Sequence, residues 1–151
     1  MPQRKPAMGP LPREQMTPNQ RAFMEYIDAL LADDPATAMR KALTPGFIAH
    51  DLPEGHNDLE SLIAFRERLH TVLSDQQVSV RVILEVGDQV IGYSTITQTD
   101  PTTGQPFSFH ILDLVRVESG KAAARWGTFD DPEGGFLKIR RAILAEEARQ
   151  Q

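Results

Sequence analysis

The sequence predicts an α+β domain, and three observations carry that prediction. Apolar residues step by three and four through separate segments of the first half, as on helix faces. From residue 78 to 129 the stepping gives way to strand-like runs separated by Gly-containing turns. A last amphipathic segment follows Asp131-Pro132-Glu133-Gly134-Gly135. Helices first and an antiparallel meander afterwards place the helices on one face of a curved sheet, with an extra helix at the C-terminus.

The elements follow in order. Residues 1–18 hold five of the 11 prolines, which remove backbone donors and restrict their neighbours, so 1–17 reads as a flexible arm. Thr17-Pro18 is a cap and first-turn proline, and Phe23, Tyr26, Ile27, Leu30 and Leu31 mark the face of a first helix. Ala36 to Leu43 reads as a second, short helix ended by Thr44-Pro45-Gly46, and 47–50 as a short strand running into a turn. Asp58 opens a third helix through Leu73, with Leu59, Leu62, Ile63, Phe65, Leu69 and Val72 on its apolar face. Val78, Val80, Val82, Leu84 and Val86 then alternate along a strand, Gly87-Asp88 makes a tight turn, and 89–99 returns. A hairpin of 107–117 and 122–129 turns at Ser119-Gly120, and 136–149 is the final helix. The domain proper spans 18–131, with 132–151 a helical extension.

Composition narrows the function. A chain of 151 residues is one domain, large enough for a closed pocket. With 21 acidic against 16 basic side chains the net charge is −5, which points to no nucleic acid and no anionic membrane. Absence of cysteine removes disulfides, thiolate nucleophiles and Cys-based zinc sites. There is no phosphate-binding Gly loop, dinucleotide fingerprint or nucleophile elbow. No apolar run approaches the roughly 18 residues of a bilayer span, and the two early basic residues have no apolar core behind them. The expectation is a cytoplasmic protein that uses no cofactor.

Asp113 is the informative residue. One face of its strand reads Phe109, Ile111, Asp113, Val115, Val117, a carboxyl among apolar side chains. If that face is inward, the carboxyl must be paired, hydrogen-bonded or protonated. The other reading makes this the solvated face and puts Leu112 and Leu114 in the core. Tyr26 is either a core tyrosine whose hydroxyl reaches the surface or a donor into a cavity. His50 and Asp51 leave a short strand as turn residues or as site residues, and with His56 and Asp58 they form the one His/carboxylate grouping that invites a metal. Arg125 lies on the strand paired to that of Asp113 and can neutralise it or point to solvent. Trp126 faces the other way and reads as packing or interface.

The order of elements, Val-Gly-Asp-Gln-Val at 86–90, and Asp113-Leu-Val-Arg-Val-Glu-Ser-Gly-Lys121 followed by Arg125-Trp126 resemble the SnoaL-like polyketide cyclases. These belong to the nuclear-transport-factor-two-like superfamily, which includes ketosteroid isomerase. The resemblance covers about residues 18–130. It implies a cone, a curved sheet wrapped by three helices around an internal hydrophobic pocket, and a homodimer formed through the sheet. By position, Tyr26 resembles the tyrosine that stabilises an oxyanion in the isomerases, and Asp51 their proton-shuttling Asp. Asp113 resembles their protonated Asp, and His50 a histidine of cyclase-like relatives. Arg125, Phe109, Ile111, Val115, Phe65 and Leu69 become substrate-binding candidates. Cyclases commonly read His-Trp-Asp where this chain has Arg125-Trp126-Gly127, so the Asp proposed as their acid/base is absent.

The expected chemistry is proton transfer on a small hydrophobic carbonyl compound of polyketide or terpenoid type: isomerisation, cyclisation or dehydration. Tyr26 and a carboxylic acid at 113 form a donor pair for an enolate, and Asp51 moves the proton. Two alternatives stand beside it. Limonene-epoxide-hydrolase relatives share the cone and use an Asp–Arg–Asp relay that Asp113 and Arg125 imitate in part, with no second Asp at Gly127. Other members of the superfamily only bind ligands.

Overall fold

The computed structural model describes residues 6–149. Local chemistry sets each helix start. The Thr17 hydroxyl accepts from the Gln20 N–H at 3.1 Å and the Gln20 side chain accepts from the Thr17 N–H at 3.0 Å, with Pro18 in the first turn of α1 (Pro18–Leu31). Asp34 caps α2 (Pro35–Ala42), and Asp58 caps α3 (Leu59–Val72) by accepting from the Ser61 N–H at 2.8 Å.

Among the described residues five strands form one sheet: β1 (Leu43–Ala49), β2 (Gln77–Val86), β3 (Gln89–Thr99), β4 (Pro106–Glu118) and β5 (Lys121–Asp130), in spatial order β1-β5-β4-β3-β2. The meander β2 to β5 is antiparallel as expected, while β1 joins the edge parallel to β5, so the sheet is mixed. β1 also begins earlier than the sequence suggested. It runs through Pro45-Gly46 because an edge strand tolerates a missing donor, and its register shifts between Leu43 and Ile48.

A bulge changes the reading of β2. Val80 pairs with Ser94 and Val82 with Tyr93, so Arg81 is extra and the side-chain alternation slips by one. Val80 and Ile83 are therefore buried, whereas Val82, Leu84 and Val86 are exposed. The continuous valine face expected from the sequence is split between the two sides of the sheet.

The helices lie against the inner face. Gly92 on β3 makes this approach close: a Cβ there meets the Phe23 ring of α1 at 2.2 Å. Phe23, Tyr26 and Ile27 are buried as a result. The part of the proline-rich arm that is described is tied down where the sequence suggested a loose segment. Met8 bridges β2 through bonds from its N–H to the Val78 carbonyl (3.1 Å) and to its own carbonyl from Val80 (2.7 Å). Asp28 on α1 accepts from the Ala7 N–H and forms an ion pair with Arg13. Residues 1–5 lie outside the described part.

After Gly134, α4 (Gly135–Arg149) packs on α3 and on the start of β4 and end of β5. Phe136 stacks on Phe109 with ring centres 4.6 Å apart and lies 5.3 Å from Phe129, and Glu146 pairs with Arg68 of α3. Among the described residues no helix is long and apolar enough to cross a membrane.

Candidate active site

Strand register puts Asp113 between two glycines, Gly92 on β3 and Gly127 on β5. Neither neighbour has a side chain to cover the carboxyl from the flank. On the Gly92 side the Phe23 ring fills the space, and a Cβ at Gly127 comes within 3.0 Å of Asp113 Oδ1 and 3.7 Å of Asp51 Cγ. The two carboxyls thus approach each other across the bare backbone of Gly127.

Arg125, two residues before Gly127 and on the same strand face, holds this corner together. Its Nε donates to Asp51 Oδ1 at 2.9 Å, its Nη2 to Asp51 Oδ2 at 3.1 Å, and its Nη1 to the Tyr26 hydroxyl oxygen at 2.6 Å. Arg140 of α4 adds a longer contact to Asp51 Oδ2, 3.4 Å, with its guanidinium 5.0 Å from the centre of the Phe129 ring. Tyr26, Asp113, Arg125 and the Asp51 side chain are all nearly or fully removed from solvent.

Asp113 differs from its neighbours in being unsatisfied. Its Oδ1 is buried with no hydrogen-bond partner among the described residues. Burial pushes the Asp113 carboxyl up to about 7, against the pull of Arg125 and with Asp51 adding to the rise. Burial likewise pushes the Tyr26 phenol well above its ordinary value, although Arg125 opposes it. Burial alone disfavours the Arg125 cation, but Tyr26, Asp51 and Asp113 together hold its pKa above the usual range. Arg140, half-buried, is lowered, chiefly by loss of water.

Asp113 and Arg125 face a cavity that opens to solvent on one side. Ile27 and Leu30 of α1, Leu62 and Phe65 of α3, and Ile96, Phe109 and Ile111 of the sheet make its walls apolar. α4 contributes Phe136 and Arg140. The expected binding residues Arg125, Phe109, Ile111 and Phe65 line this space. Val115 and Leu69 do not; they are fully buried in the core.

Three expected catalytic residues sit elsewhere than the sequence suggested. His50 is exposed and its ring lies flat on Trp126, centres 4.5 Å apart, outside the cavity, because Trp126 alternates to the outer sheet face. Asp51, expected to be the better solvated carboxylate, is instead buried in the grip of Arg125 and Arg140. Tyr26 stands behind Arg125 and does not itself line the cavity. His56 points to Glu147 of α4 at 3.8 Å, so the loop histidines do not converge, and among the described residues no three His, Cys, Asp or Glu side chains gather as a metal site.

Arg140 escaped the sequence reading. A signal was there: with Phe136 and Ile143 it falls on the stripe of α4 that packs inward. Ser94 and Gln76, which also line the cavity, stood in apolar alternation without drawing notice.

Helices laid into a curved sheet around a mostly apolar cavity, with a buried carboxyl facing it, define a small pocket fold. The chain belongs to the SnoaL-like domain family, whose model matches residues 23–125. IdmH, a candidate polyketide cyclase from Streptomyces antibioticus, is similar in structure, with a TM-score of 0.68 at 19% identity over 80% of this chain and 97% of that one. A candidate polyketide cyclase from Bacillus cereus gives 0.66 at 21% identity, over 86% and 87% of the two chains. A protein with a ketosteroid isomerase-like fold from Catenulispora acidiphila, solved with trimethylamine, gives 0.62 at 13%, over 72% and 85%. At these identities the likeness establishes the fold. No curated protein matches the chain in sequence.

Proposed function

We propose that the protein is a cofactor-free acid–base enzyme that moves a proton on a small, mostly hydrocarbon carbonyl compound of polyketide or terpenoid type. The observation that carries this reading is the Asp113 carboxyl, buried, unpartnered at Oδ1, facing an apolar cavity and raised to about 7. A general base or acid works best with a pKa near the working pH. As carboxylate, Asp113 takes a proton from the carbon beside the carbonyl, and the electron pair of the broken C–H bond moves onto oxygen. Arg125 uses three of its five N–H groups on Asp51 and Tyr26, which fix it in place and leave donors for the developing enolate. Protonated Asp113 then returns the proton to another carbon, or to the oxygen formed when the enolate closes on a second carbonyl. Asp51 and Tyr26 serve as positioning residues for Arg125 in this scheme. That revises the roles of base and direct donor suggested by the resemblance.

Epoxide hydrolysis is the second reading, favoured by one observation. Asp51 supplies, next to Arg125, the second carboxylate that the sequence lacked at Gly127. Here protonated Asp113 donates to the epoxide oxygen while the Asp51 carboxylate takes a proton from the water that opens the ring.

The test is incubation with pooled cyclic ketones, enones and epoxides in water labelled with deuterium and oxygen-18, read by mass spectrometry beside Asp113→Asn. Carbon-bound deuterium made by wild type and lost by an order of magnitude or more in the variant supports proton transfer. An oxygen-18 diol turns the reading to hydrolysis. Binding without either label favours a ligand-binding domain.

We further propose a homodimer through the outer sheet face. Val82, Tyr93 and Leu112 form one cross-strand row there, and Leu84, Ile91, Leu114 and Trp126 the next. Val82, Leu84, Tyr93, Leu112 and Trp126 are exposed, a continuous apolar surface of the kind a second copy covers.

A further inference from the structure

We infer that the Ser94 hydroxyl is a second polar anchor in the cavity, and that the substrate carries a second oxygen spaced from its reacting carbonyl to meet it. The inference rests on the reading of Asp113 as the proton-transfer group and adds the substrate's oxygen pattern to it.

Ser94 is wholly buried, lines the cavity, and its Oγ has no hydrogen-bond partner among the described residues. It occupies the inward face of β3 between Gly92 and Ile96, where an alanine or valine fills the same row without leaving a hydroxyl unanswered. Most other polar groups at this end are answered by each other, apart from Gln98 Nε2, which is buried without a partner and does not line the cavity. Arg66 donates to the Leu30 carbonyl and to Gln76 Oε1, both at 2.9 Å, and Gln76 donates to Gln98 Oε1 at 2.9 Å. Those contacts brace α1, α3 and the β2–β3 ends; Ser94 takes no part in them.

Register fixes the spacing. Gly92 faces Asp113 and Ser94 faces Ile111, so Ser94 is the diagonal neighbour of Asp113 on the same sheet face. Diagonal neighbours stand roughly 7 Å apart. Asp113 and Ser94 therefore stand on one wall of a mostly apolar chamber, each with a buried, unanswered oxygen and with Ile111 beside them. The fitting ligand is a rigid hydrocarbon skeleton with two carbonyl or phenolic oxygens on the same edge. One is held at Asp113 and Arg125, the other accepts from or donates to Ser94.

Two naphthols test this by isothermal titration calorimetry. 2-Naphthol offers one oxygen and 2,7-dihydroxynaphthalene offers two on one edge. Wild type is expected to bind the diol about tenfold more tightly, the worth of one buried hydrogen bond. In Ser94→Ala that preference falls towards unity while 2-naphthol binds as before, and the melting temperature shows that the variant is folded. Equal affinity for both in wild type, or a preference that survives Ser94→Ala, overturns the inference. Weaker binding of 2-naphthol by Asp113→Asn reports separately on the Asp113 end, so the anchor can fail while the proposed function stands. Failure of both naphthols to bind overturns the two together.

Discussion

Arg125 grips Asp51 with two parallel bonds, 2.9 Å from Nε to Oδ1 and 3.1 Å from Nη2 to Oδ2, although the two residues are 74 positions apart in the chain. The pair joins the turn after β1 to β5 at the cavity. It also surrounds Asp113 with one charge of each sign: Arg125 favours ionisation and Asp51 opposes it. Replacing Asp51 by Asn leaves the Arg125 cation buried with a weaker partner. Breaking such a pair costs about 3–5 kcal/mol at worst. It also removes a charge that raises Asp113, so the midpoint of the activity–pH profile moves to lower pH. Chemical denaturation and a rate profile of Asp51→Asn check the two effects separately.

Stability itself carries the signature of Asp113. In the unfolded chain the carboxyl titrates near 4, and in the fold near 7. Between those values the folded state holds a proton that the unfolded state has released. The contribution of Asp113 is thus fully present below about pH 4, declines as pH rises to about 7, and changes no further above that. Three units correspond to roughly 4 kcal/mol. Thermal melts of wild type and Asp113→Asn across this range are expected to converge at high acidity and to separate in favour of the variant towards neutrality. Curves that stay parallel remove the raised carboxyl.

Tyr26→Phe deletes the oxygen that accepts from Arg125 Nη1 at 2.6 Å. The buried donor left behind costs about 1–3 kcal/mol in stability. Because Arg125 then loses one of its supports, kcat falls by about tenfold with KM little changed, as for an interaction used in the transition state. Steady-state kinetics on the substrate found in the labelling experiment check it. A pure packing role for Tyr26 leaves kcat intact.

Leu112 lies at the centre of the exposed outer row, opposite Tyr93 and Thr128. Leu112→Glu puts a charge into the proposed interface without touching the cavity. Sedimentation velocity is expected to show a dimer for wild type and a monomer for the variant. A monomeric wild type, or a variant that remains dimeric, rejects the sheet-face dimer.

Much of this architecture was legible in the sequence because it is written in periodicity. The capping residues Thr17 and Asp58, the helix stripes and the turns at Gly87 and Gly120 stand where the pattern put them, except that Val72, expected on the apolar face of α3, is exposed at its last turn. Asp113 was legible for the same reason, as a carboxyl breaking an apolar alternation. The β2 bulge at Arg81 was not, because a one-residue insertion depends on how two strands pair. The Asp51–Arg125 bond was invisible too: turn chemistry explains an Asp after a strand equally well, and long-range pairing leaves no local trace. Arg140 was hidden in a helix read as an appendage, although its neighbours Phe136 and Ile143 are buried.

The account turns on the ionisation of Asp113. Wild type labelled with carbon-13 at aspartate side chains, with Asp113→Asn to assign the resonance, allows its carboxyl carbon to be titrated by NMR. The account predicts a midpoint near 7 for Asp113. A midpoint at the ordinary aspartate value of about 4 or below contradicts it, since the carboxyl is then a permanent anion and no longer a proton carrier at neutral pH.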